Sequence, residues 1–202
     1  MAIEGENAQT SRARLLAAGR SLFARYGYEQ TSTASIARSA ATSESQLVRY
    51  FGGKSGLLEA IFNDAWSALA TAVSVEAEHA ASGRDAILAI LRLFVETFAR
   101  DRDLAFLFLL EGRRVRGTEL VISEGFLAFN AFLVDLATKG QQDGSLVADI
   151  PPQVLVSGML GSAEGMVRDS LIARQLRQDE PFDGATVNRV FEAMAAGLAP
   201  AK

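Results

Sequence analysis

Apolar residues recur with a helical period along almost the whole chain, and this constrains the fold more than any other feature. In residues 15–26, for example, they stand three, four and seven positions apart, which places them on one helix face. No stretch alternates between apolar and polar residues for long enough to propose a sheet. The sequence therefore predicts an all-α fold of about nine helices.

The lengths of these helices predict two domains. The first three are short and are expected to form an N-terminal domain over residues 1–53. The remainder, residues 54–202, would begin with a long fourth helix and form a larger helical domain. Thr10 or Ser11 is the expected N-cap of the first helix. A polar break at residues 113–117 precedes the expected seventh helix, residues 120–139.

The composition argues against an enzyme. The chain has no cysteine and one histidine, His79, so disulfides, thiolate sites, a Ser-His triad and a histidine-rich metal site lack support. We expect no cofactor and no metal. The first ten residues lack the basic and apolar regions of a secretory signal, and the apolar runs are too short to span a bilayer. These features predict a soluble cytoplasmic protein that does not enter membranes.

The charge is distributed unevenly between the two ends of the chain. Residues 1–58 contain seven basic and four acidic groups, a balance of +3, whereas the rest contains 13 basic and 20 acidic groups, a balance of −7. A basic end on an acidic body is typical of a protein that binds DNA. Ordinary fluctuation in composition accounts for the charge equally well.

Residues 32–51 have the pattern of a helix-turn-helix. Two short helices flank a tight turn at residues 40–42, and Ser43 with Gln46 forms a capping box at the start of the second helix. The residues expected to face inward are Ile36, Ala37, Ala40, Leu47 and Phe51. Those expected to face outward are Glu44, Ser45, Val48 and Arg49. Most helical hairpins of this kind are core structure, so periodicity alone does not show that this one binds DNA.

Residues 12–62 resemble the N-terminal domain of the TetR family of bacterial transcriptional regulators, without a gap. The matching residues are Leu22-Phe23, Gly27-Tyr28, Thr31, Ser32, Ile36-Ala37, Ser43, Leu47, Tyr50-Phe51, Lys54 and Leu57-Leu58. Residues 140–161 are similar to the connection into the eighth helix of many members. Three positions depart from the pattern: Ala41 replaces the turn glycine, Val48 an aromatic residue and Ser35 an acid. A positive φ at Ala41 would cost about 1 kcal/mol.

The resemblance implies two sets of DNA contacts. Phosphate contacts are expected from Ser32, Thr33, Tyr50 and Lys54. Base contacts are expected from Glu44, Ser45, Gln46 and Arg49. Of these, Arg49 is the favoured reader, because a guanidinium can bind guanine O6 and N7 together. The alternative role of Tyr50 is in the core, that of Glu44 is at the helix dipole and that of Gln46 is in the cap.

A two-fold dimer is the usual way to read a near-palindromic operator. Glycine inside a helix costs roughly 1 kcal/mol against alanine, so the glycines of the eighth helix point to close helix approach. The expected interface comprises Gly158, Gly161, Gly165, Val187, Val190, Phe191 and Met194. Packing within one chain is the alternative. The resemblance implies a four-helix bundle between two subunits.

The resemblance also implies that the C-terminal domain binds a small molecule and then releases DNA. The effector is unknown and is expected to be apolar or aromatic. The side chains expected to line its pocket are Phe94, Phe98, Phe108, Phe126, Phe129, Met159 and Met166. A filled core is the alternative for each of these side chains. The sequence thus predicts a ligand-responsive repressor that binds operator DNA as a homodimer. The competing hypothesis is a helical small-molecule-binding protein without specific DNA binding.

Overall fold

Helices dominate the computed structural model, which describes residues 2–111, 113–116 and 119–200. Nine α-helices and one pair of short strands lie within these residues. In chain order they are α1 Ala2–Tyr26, α2 Thr33–Ser39, α3 Glu44–Phe51, α4 Lys54–His79, α5 Gly83–Arg100, α6 Arg102–Glu111, β1 Arg113–Arg116, β2 Glu119–Ile122, α7 Glu124–Gln142, α8 Pro152–Gln175 and α9 Gly184–Gly197. The predicted all-α fold is confirmed.

Two details of the sequence interpretation were wrong. Helix α1 begins at Ala2, so neither Thr10 nor Ser11 caps it; the Ser11 side chain is buried and its hydroxyl accepts a hydrogen bond from Arg14. The second error concerns the residues before α7, where β1 and β2 form an antiparallel hairpin. The end of β2 is a short apolar run, Leu120–Ile122, whose length suits either a strand or a helix. Two of its three residues are β-branched, which favours a strand.

The chain packs as two compact units. The first unit comprises the described residues up to Ala65 together with Phe106–Ser123. The second unit comprises Trp66–Ala105 and the described residues from Glu124 onwards. These units describe packing, and the domain boundary expected after residue 53 stays a prediction.

In the first unit, α1, α2 and α3 pack on one another. Their shared core is made of large apolar side chains with no exposed surface, namely Leu15, Phe23, Ile36, Leu47 and Leu57. The Thr31 hydroxyl donates to the backbone oxygens of Gly27 and Leu22, at 2.8 and 3.2 Å. This buried link fixes the connection that leads from α1 into α2.

In the second unit, α5 is the central helix and packs on α7, α8 and α9. Its buried side chains include Ile87, Ile90, Leu91 and Phe94. Among the residues that the structure describes, no helix combines the length and apolar character needed to cross a bilayer. The core of this unit is thus a bundle organised around α5.

The start of α5 is held by the segment that follows α7. Besides its own N-cap Ser82, α5 receives two further acceptors. The Asp143 carboxylate accepts from the backbone N–H of Gly83 at 2.8 Å, and the Ser145 hydroxyl accepts from that of Arg84 at 3.2 Å. The Ser145 side chain and the Gly83 N–H hold the pKa of Asp143 below its ordinary value.

We expect the unfolding free energy to fall in acid partly through Asp143. A carboxyl whose pKa is lowered by folding stabilises the protein above its unfolded-state pKa of about 3.9, and this contribution is lost as the pH falls through the lower folded-state value. Asp143→Asn should therefore lower the urea midpoint at pH 7. At a pH below the folded-state pKa of Asp143, the midpoints of the variant and the parent protein should be equal. Asp149→Asn, at an exposed carboxyl of the same connection, is the control. An equal drop in the urea midpoint at pH 7 and at acid pH would contradict this role.

Candidate nucleic-acid interface

The helix-turn-helix is built around a small buried contact between α2 and α3. Ile36 and Ala37 of α2 and Leu47 of α3 are buried, as the periodicity predicted. The turn passes through Ala41 at φ 48°, so the alanine adopts the left-handed conformation of the glycine that it replaces. The backbone N–H of Thr42 then bonds to the carbonyl of Ala37 at 3.0 Å. These contacts fix how α3 projects from the unit.

The N-terminus of α3 carries half of the predicted capping box. The Ser43 hydroxyl accepts from the backbone N–H of Gln46 at 3.3 Å, as expected. The Gln46 side chain does not return the bond but accepts from the Thr42 hydroxyl instead. Ser43 also lies 2.9 Å from the Ser45 hydroxyl. Gln46 is therefore held against the turn, whereas Ser45 stays exposed on the surface.

The outer face of α3 is formed by the predicted residues. Glu44, Ser45, Val48 and Arg49 are all exposed, and Val48 retains 54% of its surface. Glu44 is not free, because its carboxylate accepts from the Thr33 hydroxyl at 2.5 Å. That bond joins the first residue of α2 to the first residue of α3 and commits the Thr33 hydroxyl proton.

Arg49 and Tyr50, predicted for base and phosphate contacts respectively, bind each other. The Arg49 guanidinium donates to the Tyr50 hydroxyl at 2.9 Å, and its central carbon lies 4.8 Å from the centre of the Tyr50 ring. Tyr50 is half-buried and packs edge-on against Phe51, with ring centres 6.2 Å apart. Sequence spacing did not predict this pairing, because neighbouring residues on a helix ordinarily point in different directions.

The remaining predicted phosphate contacts have structural partners as well. The Ser32 hydroxyl caps α2 by accepting from the backbone N–H of Ser35 at 3.1 Å. The Lys54 ammonium donates to the carbonyl of Tyr28 at 2.9 Å and lies 4.2 Å from the centre of its ring. An ammonium has three donors, so Lys54 keeps protons for an anion. Arg12 also lies over the Phe51 ring, at 5.4 Å, a contact that the sequence analysis missed.

The predicted effector residues of the second unit contribute to an aromatic cluster. Phe94 lies 4.6 Å from Phe98 and 5.8 Å from Phe129, centre to centre. Trp66, which the sequence analysis left out, lies 5.3 Å from Phe129 and 5.9 Å from Phe126. Met159 is buried and Met166 half-buried on α8, whereas Phe108 is buried in the first unit. The described residues include no group of three or more side chains suited to a metal ion.

The predicted dimer residues divide between the core and the surface. Phe191 and Val187 are buried within their own chain, so these two side chains belong to the core of the second unit. Val190 remains 38% exposed and Met194 half-buried. On α8, an added Cβ at Gly158 or Gly161 would meet nothing within 4 Å, and at Gly165 only the end of Arg168 at 3.5 Å. The glycines of α8 therefore face open space in the single chain.

The open glycines lie on one stripe of α8. At 100° per residue, the same stripe includes the exposed apolar residues Val154 and Ile172, and the exposed C-cap residue Leu176 continues it. Such a row combines exposed apolar side chains with positions where another backbone can approach closely.

Comparison with known proteins identifies one matching family, over the helix-turn-helix part of the chain. Residues 15–61 match the model of a family described as bacterial regulatory proteins, tetR family. None of the curated proteins matches the chain in sequence.

Solved structures resemble the chain over most of its length. The transcriptional regulator FadR from Bacillus subtilis, solved in complex with stearoyl-CoA, has a TM-score of 0.80 and 19% identity over 92% of this chain and 98% of that one. The fatty acid degradation regulator FadR from Bacillus halodurans has a TM-score of 0.77 and 18% identity over the same shares, 92% and 98%. The ketosteroid transcriptional regulator KstR2 of Mycobacterium tuberculosis has a TM-score of 0.69 and 16% identity over 94% and 95%. At these identities the likeness establishes the fold.

Proposed function

We propose that this chain, whose residues 15–61 match the model of the tetR family of bacterial regulatory proteins, is a sequence-specific DNA-binding transcriptional regulator. One observation carries the proposal: α3 is anchored by buried Leu47 and exposes Glu44, Ser45, Val48 and Arg49 together. An α-helix with its side chains is about 10–12 Å across, which matches the width of the major groove of B-DNA. Regulation of this kind takes place in the cytoplasm and needs no catalytic residue, metal or cofactor.

Within this function, Arg49 and Ser45 are the proposed base readers. Arg49 is exposed, cationic and able to bind a guanine with two hydrogen bonds. Glu44 and Gln46 are proposed as secondary readers, since Glu44 must first leave Thr33 and Gln46 must first leave Thr42. The proposed phosphate contacts are the backbone N–H groups of Ser32 and Thr33, the Tyr50 hydroxyl and the Lys54 ammonium.

We further propose that the protein acts as a homodimer through α8 and α9. Glycine within a helix costs roughly 1 kcal/mol, and no close contact in the single chain accounts for Gly158 or Gly161. A partner helix lying across these glycines would account for them. Val154, Val190 and Met194 would complete an apolar contact around the glycines. Two subunits related by a two-fold axis would read a near-palindromic operator.

The proposed effector is a small apolar or aromatic molecule bound in the second unit. The aromatic cluster of Trp66, Phe94, Phe98, Phe126 and Phe129 supports this chemistry. Among the structural neighbours, one regulator was solved with stearoyl-CoA and another is named a ketosteroid regulator. The ligand would favour a dimer whose recognition helices no longer match successive major grooves, and so relieve repression.

A genomic binding selection with the purified protein tests the function directly. We expect enrichment of fragments that share one near-palindromic motif, with half-sites about one helical turn apart. Recovery of fragments without a shared motif would overturn the proposal. In that case, ligand binding by the same preparation would favour a small-molecule-binding protein without specific DNA recognition.

Arg49→Ala is expected to weaken operator binding by about 1–3 kcal/mol and to relax sequence preference at a single base position in each half-site. A gel-shift series over the operator with every base replaced in turn measures both effects. Arg25→Ala is the matched control, because Arg25 is also an exposed arginine beside a tyrosine ring, at 5.2 Å, but lies outside α3. Unchanged affinity and preference in Arg49→Ala would reject its role as a reader.

A further inference from the structure

We propose that Tyr50 is a positioning residue for base recognition and that its hydroxyl holds the Arg49 guanidinium in place for reading. The proposal rests on the function proposed above and deepens it. A tyrosine that contacts only a phosphate would strengthen binding to every DNA sequence alike. A tyrosine that positions Arg49 would instead set how strongly the protein distinguishes its operator from other DNA.

The first support is that Arg49 touches Tyr50 in two ways at once. Its terminal nitrogen donates to the hydroxyl at 2.9 Å, while its central carbon lies 4.8 Å from the ring centre. The guanidinium therefore lies along the ring instead of extending freely into solvent. An unrestrained arginine loses much rotamer freedom when it binds a base, whereas one already held loses less.

The second support is that the Tyr50 ring is itself held by packing. The ring is half-buried and meets Phe51 edge-on, at 6.2 Å and 65°. Phe51 in turn lies beneath the Arg12 guanidinium, at 5.4 Å. Its burial and its contact with Phe51 leave the Tyr50 ring little freedom to follow Arg49. The tyrosine is thus a fixed support, which a positioning residue must be.

The third support is the chemistry of the phenol group. A tyrosine hydroxyl accepts hydrogen bonds through its lone pairs and donates one through its proton. Arg49 occupies a lone pair, so the proton remains available for a DNA phosphate oxygen. One hydroxyl can then bind the backbone and hold the base reader at the same time. Bonds linked in such a chain polarise and strengthen each other.

Tyr50→Phe tests the proposal, because it keeps the ring and removes only the hydroxyl. The affinity is measured for the operator, for the operator with the base read by Arg49 replaced, and for unrelated DNA. We expect the preference for the operator over the replaced sequence to fall by about fivefold to tenfold, in line with the net contribution of one solvent-exposed hydrogen bond. Binding to unrelated DNA should fall by a smaller factor than binding to the operator, because only the phosphate contact of the hydroxyl is lost there. Circular dichroism confirms that the variant is folded.

Two further variants make the test specific. Tyr26→Phe is the control, because Tyr26 also lies beside an arginine, Arg25, at 5.2 Å and is 52% exposed; its preference should equal that of the parent protein. In an Arg49→Ala background, Tyr50→Phe should lower the preference no further. An equal loss of affinity for all three DNA sequences would overturn the proposal. A further loss of preference in the Arg49→Ala background would overturn it as well. Failure of the parent protein to select any motif would instead contradict the proposed function.

Discussion

Gly83→Ala is expected to destabilise the second unit by about 3 kcal/mol, the upper end of what overpacking costs. A Cβ at this position would lie 2.3 Å from the backbone nitrogen of Gly140 and 2.6 Å from the carbonyl oxygen of Leu136. Both atoms belong to α7 and cannot turn aside as a flexible side chain would. Helix α5 would have to move away from α7, and the bond from the Gly83 N–H to Asp143 would lengthen with it.

Urea unfolding followed by circular dichroism measures this loss. Gly184→Ala is a matched control, because both glycines begin a helix directly after its N-cap. A Cβ at Gly184 would meet nothing within 4 Å, so we expect a change within about 0.5 kcal/mol. A loss below about 1 kcal/mol for Gly83→Ala would mean that α5 and α7 separate at little cost.

The double substitution Gly158→Leu and Gly161→Leu is expected to prevent dimer formation and to weaken operator binding by at least about 100-fold. The loss arises because two linked half-sites bind far more tightly than either half-site alone. Within a single chain the new side chains would enter open space, and leucine favours helix more than glycine does. The chain should therefore stay folded while it loses its partner.

Sedimentation equilibrium and gel shifts on the same samples separate these effects. Ala68→Leu, at an exposed position of α4, adds the same apolar side chain elsewhere and should leave both measurements unchanged. If the double variant remains dimeric with full operator affinity, α8 does not form the interface. A monomer that binds the operator as tightly as the parent protein would contradict the need for two linked half-sites.

The parts of the fold that the sequence predicted depend on short-range patterns. The helical period located the nine helices of the described residues, and the Ser43 cap follows from residues within one turn of each other. The hairpin escaped prediction because a strand needs a partner, and the apolar run Leu120–Ile122 is too short to distinguish a strand from a helix.

The candidate site shows the same division. Periodicity correctly predicted which side of α3 is exposed, because that follows from burying Leu47. It did not predict what the exposed side chains bind. The bond from Lys54 to Tyr28 joins residues 26 positions apart, and that from Thr33 to Glu44 joins residues 11 apart. Such partners are brought together only when the helices pack.

Replacing Ala41 by glycine would stabilise the helix-turn-helix, because the alanine is strained at this position. Packing of α2 against α3 holds the turn in a left-handed conformation that a methyl side chain resists, at a cost of about 1 kcal/mol. Alanine and glycine codons differ at one nucleotide, so the relaxed turn is a single mutational step away. A destabilising change on the exposed side of α3, the side proposed to read the operator, can therefore be offset at residue 41 without altering that surface.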